Sequence, residues 1–236
     1  MTDDVSRETP PPPPVAAGVF AATLPVVTEF AGILASDGTE RGVIGPREVP
    51  RLWERHLLNC AVITELMGEG ASVADVGSGA GLPGLVVAIR RPDLRVTLIE
   101  PLARRTRFLD EVVEALALPN VEVVRGRAEQ IANQRRFDVV TSRAVARLPQ
   151  LMEWSLPLVA PGGAMVAMKG RSAAEEVAEL DDVGIPRGAA EPEIITIGET
   201  TLPFPTTVIR VKVSQAIALD SVKRSPSRGR RTKKKR

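Results

Sequence analysis

Aromatic residues are scarce: the chain has no tyrosine, two tryptophans and five phenylalanines among 236 residues. Few rings are therefore on hand to stack against bases drawn out of a nucleic acid. A single cysteine, Cys60, excludes an intramolecular disulfide, and a single histidine, His56, removes the usual ligand set of a structural zinc site. No stretch reads as long and apolar enough to span a membrane. The start, acidic and then proline-rich, does not read as a signal peptide. The expectation is a cytoplasmic protein with no membrane partner and no metal.

Acidic residues are missing from one stretch. Lys223 to Arg236 holds nine of the 31 Lys and Arg and none of the 29 Asp and Glu, which leaves the rest of the chain acidic despite a net charge of +2. This tail is too polar to pack and reads as disordered. It suits nucleic-acid phosphates, and equally a role in solubility. At the other end, Pro10 to Pro14 can join neither helix nor ladder, so 1–14 reads as a disordered leader. Apolar spacing at Val19, Phe20, Leu24, Val27 and Phe30 predicts helix, Gly38 to Pro50 a loop, and Arg51 to Met67 a further helix. The organisation expected is a leader over 1–14, a helical extension over 15–70, an α/β domain over 71–215 and a basic tail over 216–236.

The α/β domain is organised around Val73 to Arg91. A short apolar strand runs into Asp75-Val76-Gly77-Ser78-Gly79-Ala80-Gly81 and then, without a gap, into an apolar helix from Leu82. Strand, glycine turn and helix present backbone N–H groups and a helix start to a ligand. Glu100 ends the next apolar strand, where a carboxylate can accept from both hydroxyls of a ribose. The acid opening the loop disfavours a pyrophosphate, since like charges repel. It suits a ligand with an ammonium and a sulfonium. The Asp75-x-Gly77-x-Gly79-x-Gly81 spacing resembles the first motif of class I methyltransferases, which use S-adenosyl-L-methionine.

Strands and helices alternate from there. Strands are expected at Val73–Val76, Arg95–Ile99, Val121–Val124, Phe137–Thr141 and Ala164–Met168, with Ile194–Ile197 and Thr207–Val213 closing the sheet. The fold class expected is α/β: by the resemblance of the glycine motif, a Rossmann-like, class I S-adenosylmethionine-dependent methyltransferase fold with a mostly parallel seven-stranded sheet and an N-terminal helical extension.

Several residues fall where ligands of such sheets collect. Ala128-Glu129 follows the third strand and can pair with an adenine edge; the same acid also suits a helix start. Ser142-Arg143-Ala144 ends the fourth strand. The Asn/Asp-Pro-Pro-aromatic motif of enzymes acting on exocyclic amines is missing there, and Cys60, the nucleophile that pyrimidine C5 chemistry would need, reads as lying far back on a helix. A ring nitrogen with a free in-plane lone pair, such as guanine N7, needs only alignment. Arg143 can read or stack on guanine, or form a surface ion pair. Lys169-Gly170-Arg171 puts two cations at the same sheet edge, as phosphate contacts or as solvated charges. His56, by spacing alone, reads as a packing residue.

Taken together, Trp53-Glu54-Arg55-His56-Leu57-Leu58-Asn59, the glycine loop running into Leu82-Pro83-Gly84, Leu98-Ile99-Glu100, Phe137 to Ala144 and Met168-Lys169-Gly170 resemble the glucose-inhibited division protein B family, also called ribosomal RNA small subunit methyltransferase G. The resemblance spans about Leu52 to Arg171. It implies N7 methylation of one guanine in the decoding region of 16S rRNA. It carries the cofactor positions to Gly77, Leu82, Ala128, Glu129 and Arg143, with Glu100 at the ribose, and brings the helix of His56 and Asn59 to the cleft. Two departures stand out: Gly42 to Arg47 replaces an Asn-Leu-Thr-like segment, and Cys60 a common serine.

The expected site is then Arg143 and His56 as catalytic residues. Asp75, Gly77, Gly79, Gly81, Leu82, Glu100, Ala128, Glu129 and Arg143 hold S-adenosyl-L-methionine. Arg55, Asn59, Lys169, Arg171, Lys233, Lys234 and Lys235 contact RNA, and the guanine rests on Arg143 or an aliphatic wall. The partner is 16S rRNA, the small ribosomal subunit or its assembly intermediate, met by a monomer. The alternatives are a small-molecule methyltransferase and a non-catalytic ribosome-binding factor on the same fold.

Overall fold

The structure, a computed structural model, describes residues 9–219. The expectations for 1–8 and for most of the basic tail, Lys233 to Lys235 included, lie outside the described residues.

Seven strands form one sheet in the order β3-β2-β1-β4-β5-β7-β6. They are β1 (Ser72–Val76), β2 (Arg95–Glu100), β3 (Val121–Arg125), β4 (Phe137–Arg143), β5 (Val159–Lys169), β6 (Glu193–Ile197) and β7 (Thr206–Lys212). The first five are parallel, and β7 runs antiparallel to both β5 and β6. The chain order reverses between β1 and β4, which pair through Val73–Val139 and Asp75–Thr141. A crevice opens at such a reversal, outside the carboxyl ends of the strands.

Helices α1 (Pro14–Phe20), α2 (Leu24–Ile33), α3 (Leu58–Val62), α4 (Gly84–Arg90) and α5 (Ala103–Ala115) share one apolar core on one face of the sheet. On the other face lie α6 (Ala128–Ile131), α7 (Leu148–Ser155) and α8 (Ala173–Ala178). Helix α5 is amphipathic, with Thr106, Phe108, Leu109 and Val112 buried and Arg104, Arg107 and Asp110 exposed. Helix α4 is buried from Gly84 to Ile89, because the sheet covers one side and the N-terminal helices the other. The extension is thus a third layer of the domain.

Four expectations change. The leader does not stay free up to Pro14: the indole of Trp53 donates to the Pro10 carbonyl at 2.8 Å, and Pro14 opens α1. Proline is suited to that first helical position, where its missing N–H has no partner to lose. The helical run Pro14–Gly38 is long and apolar enough, by length and composition, to cross a membrane. It is bent at Ala21 (φ 46°), and Val19, Phe20, Val27, Phe30 and Leu34 pack into the core. The segment read as a loop ends in a 3-10 helix, Pro46–Arg51, which carries Glu48. Finally, the tail begins later than 216, since Ile217 is only 1% exposed and belongs to the core.

Candidate active site

The carboxyl ends of β1, β2 and β4 bring three loops together. A cleft of about 620 Å³ is lined by Gly77 to Ala80, Leu82, Glu100, Arg143 and His56, and by Val43 to Gly45 from the extension. Across a ridge of Gly77, Pro101 and Val145 lies an apolar slot of about 220 Å³ walled by Val76, Ile99, Ala128, Glu129 and Trp154. On the other side, a cleft of about 680 Å³ holds Arg55, Asn59, Arg147, Lys169 and Arg171. It shares Arg143, Ala144 and Val145 with the first. A narrow slot, a larger middle cleft and a cation-rich opening therefore meet at Val145, just past the end of β4.

The glycine loop is shaped by its acids. Glu100 is 1% exposed, and its two carboxylate oxygens accept from Gly79 N–H and Leu102 N–H, each at 3.0 Å. Gly79 has φ +56°, and a Cβ there would meet only the Gly77 carbonyl at 3.7 Å. The loop is thus bare on the side facing the cleft. Gly81 differs: a Cβ would come within 2.3 Å of Leu85, so this glycine serves the turn into α4 and does not line the cleft.

Asp75, expected at the cofactor, faces away from the cleft. It is fully buried, with Oδ2 accepting from Gly84 N–H at 2.9 Å and Oδ1 without a partner. Burial pushes its pKa up to about 7, against the opposing bonds from Gly84 and Ser78. Its role is to brace the start of α4. Replacing it by Ala leaves a buried N–H unpaired and is expected to cost roughly 1–3 kcal/mol, while Asn keeps the acceptor. A carboxyl that holds its proton longer when folded loses stability as pH rises from its unfolded value, near 4, through its folded value near 7. The stability difference between the parent and Asp75→Asn should therefore fall over that range in denaturant titrations, although His56 acts in the opposite sense in both proteins.

His56 is 7% exposed and pairs through Nε2 with Glu48 at 2.7 Å. A carboxylate can only accept, so Nε2 carries the proton and Nδ1 is left as a buried acceptor with no partner. Burial first, and then the Arg143 charge, lower its pKa to about 4 against the Glu48 bond, so the ring is neutral at neutral pH. Arg143 also lies 3.5 Å from the Cys60 sulfur. Cys60 is accordingly beside the cleft and not far from it. It is nevertheless 0% exposed, and burial raises its thiol pKa, so it offers no accessible nucleophile.

The cations of the open cleft divide. Lys169 is not a free phosphate contact: it pairs with buried Glu176 at 2.7 Å and donates to the Ala146 carbonyl at 2.7 Å. Glu176 also accepts from Leu148 N–H at 2.8 Å. This pair holds the turn after Arg143, where Ala144 sits at φ +54°, a conformation disfavoured for residues with a side chain. Arg55 is exposed and 3.3 Å from Glu48, and Arg171 is exposed. Asn59 faces the cleft with a buried, unpartnered Oδ1. Sequence reasoning missed Glu48, because eight positions along a helix span about two turns, roughly 12 Å, too far for side chains to pair, and it missed Trp154, which reads as one more apolar residue of α7 but is partly buried and walls the slot.

The family described as rRNA small subunit methyltransferase G matches residues 24–200. A protein of that name from Nocardioides sp. is 56% identical over 212 residues, covering 89% of this chain and 85% of its own. One from Thermobifida fusca is 51% identical over 220 residues, covering 93% and 92%. Solved structures share the fold: cofactor-bound Rv0187 from MTB has a TM-score of 0.54 at 19% identity, covering 88% of this chain and 100% of that one. An O-methyltransferase family protein from Burkholderia thailandensis has a TM-score of 0.53 at 13% identity, covering 81% and 63%. The sheet order, the glycine loop and these relatives agree, and the chain belongs to the rRNA small subunit methyltransferase G family of S-adenosylmethionine-dependent methyltransferases.

Proposed function

We propose that this protein transfers a methyl group to N7 of one guanine in the decoding region of 16S rRNA. The observation that carries the reading is the junction just past β4: Arg143 lines both the glycine-loop cleft and the cation-rich cleft, Val145 joins both to the apolar slot, and the Cys60 thiol beside them is buried. S-adenosylmethionine, when bound, supplies an electrophilic methyl group on a sulfonium.

The residues present fit that cofactor. Glu100 accepts one N–H per oxygen, from Gly79 on the loop and from Leu102 after β2, with Arg105 3.7 Å from Oε2, and each oxygen keeps acceptor capacity for a ribose hydroxyl. Ala128 and Glu129 edge the apolar slot, which suits an adenine. Guanine N7 attacks with its own in-plane lone pair, so the protein contributes alignment and charge balance. Arg143 positions the base from the shared wall, and Arg55, Asn59 and Arg171 receive the RNA. His56, neutral and tied to Glu48, orients the cleft wall and moves no proton in the transfer. An rRNA substrate goes with a cytoplasmic monomer that works on the small subunit or its assembly intermediate.

The test is to map 7-methylguanosine in small-subunit rRNA with and without the protein, alongside transfer of labelled methyl from the cofactor. Label on small metabolites alone would sink the reading. Deleting Lys223 to Arg236 should leave cofactor affinity intact and weaken RNA binding. If about four of its cations meet phosphate, the slope of log affinity against log salt becomes shallower by roughly three to four units. Equal slopes would reduce the tail to a solubility device.

A further inference from the structure

Burial accounts for nearly every ring in the chain. Phe20, Phe30, Trp53, Phe108 and Phe137 are at most 3% exposed, and Trp154 walls the apolar slot. Phe204 is the exception, at 65% exposed. It lies in the turn between β6 and β7, outside the residues the family match covers.

The turn presents this ring from a firm base. Leu202 is 6% exposed and closes the turn with an N–H bond to the Gly198 carbonyl at 2.7 Å. Thr206 is 4% exposed and its hydroxyl donates to the Asn59 carbonyl at 3.3 Å. Between these anchors, Pro203 and Pro205 restrict the backbone on either side of Phe204. A ring held this way loses little entropy when something lies on it.

Its surroundings say what that partner is. Pro205, Thr206 and Thr207 line the open cleft that also holds Arg55, Arg143 and Arg171. An apolar docking patch for a protein needs neighbouring apolar area. Beside Phe204 only Pro203 and Pro205 are exposed and apolar, a strip of three residues, and the next exposed large aliphatic of this hairpin, Ile194, lies well down β6, three residues before its end at Ile197. One ring beside several arginines matches single-stranded RNA, where phosphates take the cations and a base takes the ring. Phe204 stands at the rim and does not line the cleft itself, so the base it takes is a neighbour of the one that reaches Arg143.

We propose that Phe204 is a stacking platform for an unpaired nucleotide flanking the methylated guanine, at the mouth of the cationic cleft. The proposal rests on the rRNA reading above.

The test compares full-length Phe204→Ala, Phe204→Leu and Phe204→Trp with the parent, using small subunits and protein-free 16S rRNA, on whichever is methylated. Ala and Leu should each raise the KM for RNA about tenfold, and Trp should stay within about twofold of the parent. The salt slope should not change in these variants, because a ring neutralises no phosphate, whereas Arg171→Ala should make it shallower. Unchanged cofactor affinity and thermal midpoint establish that the variants are folded. Recovery by Leu of what Ala loses would indicate an apolar contact with a ribosomal protein and overturn the proposal. An Ala variant indistinguishable from an active parent would overturn it too. A parent that methylates no rRNA would instead remove the function on which it depends.

Discussion

Gly79→Val should lose more than about 100-fold in affinity for S-adenosylmethionine, and Glu100→Ala about 30-fold, or roughly 2 kcal/mol. Two costs add at Gly79. Its φ of +56° lies where a β-branched residue is strained, by roughly 1–2 kcal/mol, which lowers affinity because the ligand-free loop relaxes out of this conformation and binding must restore it. Its Cβ would also point to the open side of the loop, so the side chain fills the cleft instead of striking protein. At Glu100, Ala removes the acceptor offered to a ribose and releases Gly79 N–H and Leu102 N–H, so the loop loosens as well. Calorimetry on folded variants checks both. Binding within about tenfold of the parent by Gly79→Val would mean that the ligand does not approach this loop.

Arg143→Ala should lower kcat/KM for rRNA about 100-fold, and Arg143→Lys should recover little of it. The guanidinium lies on the wall common to the cofactor cleft and the RNA cleft, beside His56 and Cys60. A planar group with several donors can face both sides, whereas an ammonium is a single point of charge. Steady-state methylation of small-subunit rRNA measures this, and near-parent activity in the Lys variant would show that only charge matters at this position.

The motif-bearing positions of the sequence gather at one edge of the sheet. Gly77, Gly79, Leu82, Glu100, Ala128, Glu129 and Arg143 all come to the linked slot and cleft, because each ends or follows a strand and parallel strands deliver their carboxyl ends to one edge. Three other motif residues turn elsewhere. Asp75, Gly81 and Lys169 sit in the same motifs, yet their side chains or missing Cβ face inward, to Gly84, Leu85 and Glu176. Motif membership gives a place along the chain and not a direction in space.

What the sequence by itself determined about this protein is the local code: the glycine turn after a strand, the acid ending the next strand, the alternation that builds a parallel sheet, and the family those residues resemble. These depend on neighbours within a few positions, so a linear reading recovers them. Tertiary structure alone decided that Glu48 meets His56, that Lys169 is bound to Glu176 and that Phe204 stands in water beside Arg171's cleft. Each of these depends on which surfaces close over which, set by burial across the whole fold. The same packing that hides five rings leaves the sixth walling a slot and the seventh exposed, and nothing in the spacing of the seven distinguishes them.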